Sequence, residues 1–265
     1  MSNLILNRRR LLGLGAVSAS SLVLAGCDQF DFLGQRDHPA RDFLEQANEL
    51  TYRVQRAIIG DTVLAREYAE TEIRQGQRPN GSIDPAETNS EYAALRASNF
   101  ANYRLKVTGL VEQEKSYSLA ELMNMPNRTQ ITRHDCVEGW SCIAKWSGTP
   151  LGPLLNASRL KPGAKYIVFH CYDAMGGGLS APEPYYTSCD RIDAYHPQTI
   201  LAYGLNNAAL PVANGAPIRV RIERTLGYKQ PKYVHTIEAV DNFTSTGRGK
   251  GGYWEDHGYD WYGGI

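Results

Sequence analysis

Cys136 stands in Arg133-His134-Asp135-Cys136-Val137-Glu138-Gly139-Trp140-Ser141, a thiol set among ionisable side chains and just ahead of a Gly-Trp pair. A neighbouring imidazole and a turn with free backbone amides would favour thiolate over thiol, the form that both a nucleophile and a soft metal ligand require. On these residues alone three roles stay open: metal ligand, nucleophile, or buried structural thiol. Further on, Leu210-Pro211-Val212-Ala213-Asn214-Gly215-Ala216-Pro217-Ile218-Arg219 places a turn before an arginine. A guanidinium's planar fork matches phosphate oxygens, although a solvated arginine after a Gly-Pro turn is the plain alternative. Leu226-Gly227-Tyr228-Lys229-Gln230-Pro231-Lys232 sets two lysines beside a glycine, a composition that suits an anion cradle and equally a solvated basic turn.

The elements that must position these groups can be read from hydrophobic spacing. Phe43, Leu44, Ala47, Leu50, Val54, Ala57 and Ile58 recur at three- and four-residue steps behind Asp42 as an N-cap, predicting an amphipathic helix over 43–59, closed by Gly60 and packed on the core. Residues 74–90 carry turn chemistry and no periodicity. Alternation begins at Tyr103, Leu105 and Val107, which predicts a strand opening the main domain. Helices are expected near 118–124 and 150–157, and strands near 129–136, at Tyr166–Phe169, at Pro217–Glu223 and at Lys232–Asp241. Strands do not alternate with long helices, so a doubly wound parallel sheet is excluded and a mixed α+β fold, largely antiparallel with short helices, is expected. The aromatic, Gly-rich tail over 248–265 is expected to pack on the domain surface rather than cover a site.

Lysines and arginines number 28, as do aspartates and glutamates, and no long run has one sign. That removes nucleic acid from the candidate partners. Residues 1–26 read as an export signal: Asn7-Arg8-Arg9-Arg10-Leu11-Leu12 leads into an uncharged stretch too short to span a bilayer. The paired arginines resemble a twin-arginine signal, which exports folded proteins. Leu24-Ala25-Gly26-Cys27 looks like a lipobox, so Cys27 would be lipidated and 27–42 would form a tether to a periplasmic, membrane-anchored body. Removing 1–26 leaves 25 basic and 28 acidic residues, a formal charge of −3. The other cysteines, Cys136, Cys142, Cys171 and Cys189, fit no CxxC or zinc spacing, and their disulfide state stays open.

Cys136-Val137-Glu138-Gly139-Trp140-Ser141, followed by Lys145-Trp146-Ser147-Gly148-Thr149-Pro150-Leu151, resembles the cofactor segment of the sulfite-oxidase family, and Asn214-Gly215-Ala216-Pro217-Ile218-Arg219 is similar to that family's Asn-Gly-x-Pro-x-Arg signature. The similarity spans roughly 75–245 and is strongest to bacterial periplasmic members, methionine-sulfoxide reductase catalytic subunits among them. It implies a sulfite-oxidase-type molybdopterin-binding fold over 98–247, preceded by a helical and loop segment over 43–97. It also implies one molybdenum–molybdopterin cofactor, with Cys136 supplying a thiolate to the metal. By the same resemblance Asn80, Cys171, Asn214, Arg219, Gln230, Pro231 and Lys232 contact the pterin and its phosphate. The expected function is oxygen-atom transfer, reduction of a small or protein-bound S-oxide or N-oxide, with electrons from a separate membrane haem protein or cytochrome. Two alternatives stand beside it. One is sulfite-type oxidation, for which the family's arginine cluster is missing. The other is a cysteine hydrolase using Cys136 with His134, His170, His196 or His235 as base. A non-catalytic lipoprotein binding through its aromatic tail is a third.

Overall fold

A computed structural model describes residues 39–74, 77–176 and 181–265. The chain divides between Thr51 and Tyr52, and the second unit, Tyr52–Ile265, holds both sheets. Helix α1, Pro39–Ile59, begins in the first unit and runs into the second. It starts three residues ahead of the expected N-cap Asp42 and ends where Gly60, at φ +73°, donates its amide to the Arg56 carbonyl. Within the second unit its apolar stripe does not pack as expected: Val54 is 46% exposed and Ile58 77%, although the 3.6-residue periodicity is real. The last turn is pinned by polar contacts instead: Arg56 pairs with Asp190 at 2.9 Å and Asp193 at 2.5 Å. No helix among the described residues is long and apolar enough to cross a membrane.

Helix α2, Ser90–Ala97, is capped by the Asn89 side chain, which accepts from the Tyr92 amide at 3.0 Å. Then come β1 (Arg104–Gly109), β2 (Lys115–Ser118), α3 (Leu119–Met123), β3 (Arg128–Asp135), β4 (Ser141–Pro150), α4 (Leu151–Ser158), β5 (Tyr166–Met175), β6 (Glu183–Asp190), α5 (Arg191–Tyr195), β7 (Ile200–Leu205), β8 (Ala208–Ala209), β9 (Arg219–Arg221), β10 (Val234–Val240) and α6 (Tyr253–Asp256). One sheet has the order β2-β1-β10-β5-β6, with β1 and β10 parallel and the other pairs antiparallel. The second runs β3-β4-β7-β8, with β9 on β7, and is antiparallel throughout. The expected mixed, largely antiparallel class is thus what forms. β1 buries Leu105 and Val107 as its alternation requires, and Tyr103 is buried just ahead of it.

β5, a central strand, buries Ile167, Val168 and Phe169 in a row. Continuous apolar sequence of that kind belongs to a strand covered on both faces. Five strands were not anticipated, β2, β4, β6, β7 and β8. β4 buries Cys142, Ala144, Trp146 and Gly148 in alternation, but its other face is Ser141, Ile143, Lys145 and Ser147, where an isoleucine among polar residues blurs the period. β6 buries Thr187, Ser188 and Asp190, polar residues whose burial depends on neighbours distant in sequence, and β7 is a six-residue apolar run without alternation. Trp146, fully buried, anchors a second small core with Ala144, Ile200, Ala202, Leu205 and Leu210.

Candidate cofactor site

β3 and β4 are joined by the turn that carries Cys136. The Cys136 amide donates to the Trp140 carbonyl at 3.0 Å and the Gly139 amide to the Cys136 carbonyl at 3.1 Å, with Gly139 at φ +84°. The turn aims the thiol at a cavity of about 260 Å³. Asn80, Gln230, Pro231 and Lys232 line the same cavity, so segments about 150 residues apart in the chain, Asn80 to Lys232, meet at one place.

Lys232 is the best-defined cation there. Its buried ammonium donates to the carbonyls of Asn80 at 2.7 Å, Ala213 at 3.1 Å and Ser82. Gly215 makes this approach available: it sits at φ +115°, and a Cβ there would lie 2.9 Å from the Lys232 Cβ. The Asn-Gly of the signature therefore acts partly by seating a lysine that follows it by 17 residues. Beside Lys232 on the cavity wall is Asp173, 4% exposed, whose Oδ1 has no hydrogen-bond partner. Burial pushes Asp173 up and Lys232 down, each opposed by the charge of the other.

Three of the expected residues, Arg219, Asn214 and Cys171, do not line this cavity. Arg219, 2% exposed, donates to the carbonyls of Asn214 at 3.0 Å and Gln230 at 3.4 Å and lies 4.9 Å from the Trp146 ring. It braces the loops behind the cavity without lining it, and burial with the charge of Arg221 pulls its guanidinium down to about 9. Asn214 is buried with its amide directed to the Gln77 carbonyl at 3.4 Å, and is also off the wall. Cys171 is buried within β5, and the residues of that strand that reach the cavity are Asp173 and Met175, two and four positions on.

The local electrostatics also differ from those expected around the thiol. Burial raises the Cys136 thiol above its ordinary range, against smaller lowering influences from the Glu138 amide, Arg78 and Asn80. His134 does not assist it: its ring accepts from Arg221 at 2.8 Å, and burial with that arginine's charge holds it well below the usual histidine range. Arg133 pairs with Asp135 at 2.9 Å, Lys145 with Glu70, and Lys229 with the buried Glu255. Lys229 is thus not part of an anion cradle; Lys232 is the lysine on the cavity.

Gly227 and Tyr228 of the Leu226–Lys232 segment also line the cavity, as do Met175, Tyr185, Trp254 and Tyr259. The last two belong to the C-terminal tail, which covers the cavity instead of only packing on the surface. Its Gly-Tyr-Trp composition was the one available signal.

The donor set fits a molybdenum–pterin group: a soft sulfur at Cys136, a held ammonium at Lys232 and an unsatisfied buried carboxyl oxygen at Asp173 line one cavity. Among the described residues no three His, Cys, Asp or Glu side chains converge on a point that could hold a metal ion, so a metal on Cys136 would take its other donors from outside these side chains.

Comparison with known proteins agrees. The chain is 41% identical over 170 residues to YedZ1 of Azospira oryzae, whose name provisionally assigns it to a protein-methionine-sulfoxide reductase; the match covers 64% of this chain and 59% of that one. It is 37% identical over 145 residues to the protein-methionine-sulfoxide reductase catalytic subunit MsrP of Ralstonia nicotianae, covering 52% and 44% of the two chains. The chain thus spans about half the length of these curated relatives. The sulfane dehydrogenase SoxCD of Paracoccus pantotrophus superposes with a TM-score of 0.47 at 21% identity over 53% of this chain and 39% of that one. The model of the oxidoreductase molybdopterin binding domain matches residues 92–247, more than half of the chain, and to that family the protein belongs.

Proposed function

We propose that the chain is an exported molybdenum–pterin oxidoreductase that carries out oxygen-atom transfer, reducing an S-oxide or N-oxide with electrons from a separate redox protein. The observation that carries this reading is the presence of Cys136 and Lys232 on one cavity. Cys136 would hold the metal through sulfur. Asn80, Gln230, Pro231 and Lys232 would hold the pterin, with Asp173 beside them. When bound, the group supplies a metal that gives or takes one oxygen atom and two electrons. In the net reaction the sulfur–oxygen or nitrogen–oxygen bond breaks, the oxygen leaves as water with two protons, and two electrons come from the donor. The sequence contains no CxxCH haem motif, in keeping with an external donor.

Charge favours a neutral oxide over sulfite. Arg133, Lys145 and Lys229 are each neutralised by an acid, and the exposed Arg78, 5.7 Å from the Trp140 ring, is opposed in sign by Glu138 on the cavity wall. A hydrolase is disfavoured by the commitment of His134 to Arg221, and none of His134, His170, His196 and His235 lines the cavity with Cys136. The test is the metal content and turnover of protein exported through its native pathway. About one molybdenum per chain, and oxidation of a reduced viologen dye by S-oxides or N-oxides, are expected. Folded protein from a cofactor-competent host that lacks molybdenum would overturn the assignment.

Export by the twin-arginine route and a lipid on Cys27 complete the proposal; both rest on residues outside the described ones. Mass spectrometry of the mature protein should find a diacylglyceryl cysteine at position 27 as its first residue. An unmodified N-terminus within the Ala-rich stretch would instead mean a soluble exported form.

A further inference from the structure

The cavity has two unlike sides. Lys232, Asp173, Gln230 and Asn80 form a polar one, used by the reading above. The other presents Trp254 and Tyr259, and both lie beyond residue 247, where the family match ends.

These two rings are held as a unit. The Tyr259 amide donates to the Trp254 carbonyl at 2.9 Å, closing a tight turn that brings the ring centroids to 5.1 Å with 31° between planes. Tyr228 meets the Tyr259 ring edge-on at 5.3 Å. The backbone carrying them is anchored from below. Glu255 forms its buried ion pair with Lys229, and Asp256 accepts from the Tyr186 hydroxyl at 2.6 Å. Trp254 is only partly buried, with one side packed against the core and edge-on to Tyr253 at 5.2 Å, and Tyr259 is 40% exposed, so both rings keep free surface. An anchored backbone that keeps two stacked rings open towards a cavity is a prepared apolar surface.

We propose that Trp254 and Tyr259 are the specificity wall of this site: they take the methyl and methylene flank of a substrate whose oxygen is directed to the Cys136 end. Apolar groups beside a sulfinyl or N-oxide centre leave water and gain dispersion contact on aromatic rings. The ring faces carry the negative part of the aromatic quadrupole, and Glu138 lies on the same cavity, so a small oxyanion is disfavoured where a neutral methyl oxide is accepted. The assignment rests on the oxidoreductase reading for the identity of the substrate, while the wall itself is a matter of binding.

The test separates the two. Binding of N-acetylmethioninamide sulfoxide to the metal-loaded, oxidised protein is followed by tryptophan fluorescence with no electron donor present, so no turnover occurs. Saturable quenching is expected in the wild type. In Trp254→Ala and Tyr259→Ala the Kd should rise about tenfold, with KM rising more than kcat falls when the dye donor is added. Trp254→Phe should restore affinity to within about threefold of wild type while losing most of the quench, a rescue that a purely structural role for the indole would not produce. Equal Kd in wild type and both alanine variants, at equal molybdenum content, overturns the wall even if turnover is normal. Wall-dependent binding without turnover by the wild type would sustain the wall and sink the reductase reading. Absence of any binding by the wild type overturns the wall.

Discussion

Cys136→Ser should fold as the wild type does and lose the metal-centred chemistry. The backbone bonds that shape its turn, from the Cys136 amide to Trp140 and from Gly139 to the Cys136 carbonyl, do not involve the sulfur. A thermal midpoint within a few degrees of wild type is therefore expected. The hydroxyl is a hard, weakly acidic group and a poor replacement for a soft thiolate on a redox metal. Loss of a directly bound ligand should exceed the ~10–100-fold effects typical of groups one shell out, so dye-linked turnover should fall by more than about 100-fold. The electron-paramagnetic signal of the reduced holoenzyme should change with it. An unaltered signal together with unaltered turnover would show that the sulfur is not bonded to the metal.

The largest effect on stability is expected at Glu223, which no sequence argument had singled out. Its carboxylate, fully buried, accepts from Arg221 Nε at 2.9 Å and Nη2 at 2.7 Å and from Gln130 at 2.8 Å. Arg221, likewise fully buried, donates its third bond to His134 at 2.8 Å and lies 4.4 Å from the Trp146 ring. Such a pair adds little against an apolar substitute of the same shape. Removing one member is different, because it strands a charge that cannot reach water, at a cost of about 3–5 kcal/mol. Glu223→Ala should accordingly lower the thermal midpoint by about 10 °C, at about 2–4 °C per kcal/mol for a chain of this size. Glu223→Gln, which retains an acceptor, should lose less. Circular dichroism on the apoprotein reads this directly; a loss below about 1 kcal/mol would mean that water or a rearranged neighbour satisfies Arg221. His134 lies two residues before Cys136, and its ring also contacts Gln230 at 3.4 Å, so the same substitution should loosen the cofactor.

The site could be read from sequence where its chemistry is carried by rare local combinations. A thiol before a Gly-Trp turn, an Asn-Gly-x-Pro turn and a lysine in a Gly- and Pro-bearing loop each point to a backbone shape as well as to a side chain. Of the seven residues that the resemblance assigns to the pterin, Asn80, Gln230, Pro231 and Lys232 line the cavity. Arg219 illustrates the limit. The resemblance gives it to the pterin and its phosphate, whereas the fold buries it on β9 beside β7, bonded to two carbonyls and close to an indole, with its Nε left without a partner; sequence does not disclose that burial. Asp173 illustrates the reverse, a carboxylate in an apolar strand whose importance depends on Lys232, 59 residues away, arriving beside it.

The stripe of α1 and the aromatic tail mark the boundary between the two kinds of information. Periodicity determines that residues 43–58 form an amphipathic helix, because that preference is set within a few turns of chain. What the apolar face meets depends on every other element, and in its last turns Val54 and Ile58 stay exposed. Likewise, composition marks the tail as aromatic, whereas contacts such as Lys229 with Glu255 and Tyr186 with Asp256 fix the segment whose Trp254 and Tyr259 line the cavity. By itself the sequence determined the family, the thiol and most of the mixed antiparallel scaffold. The tertiary structure decided which charges are neutralised, which arginine is buried, and which aromatic rings face the reactive sulfur. Spacing along a chain specifies directions from one backbone, but contact energies belong to pairs that only folding brings within a few ångströms of each other.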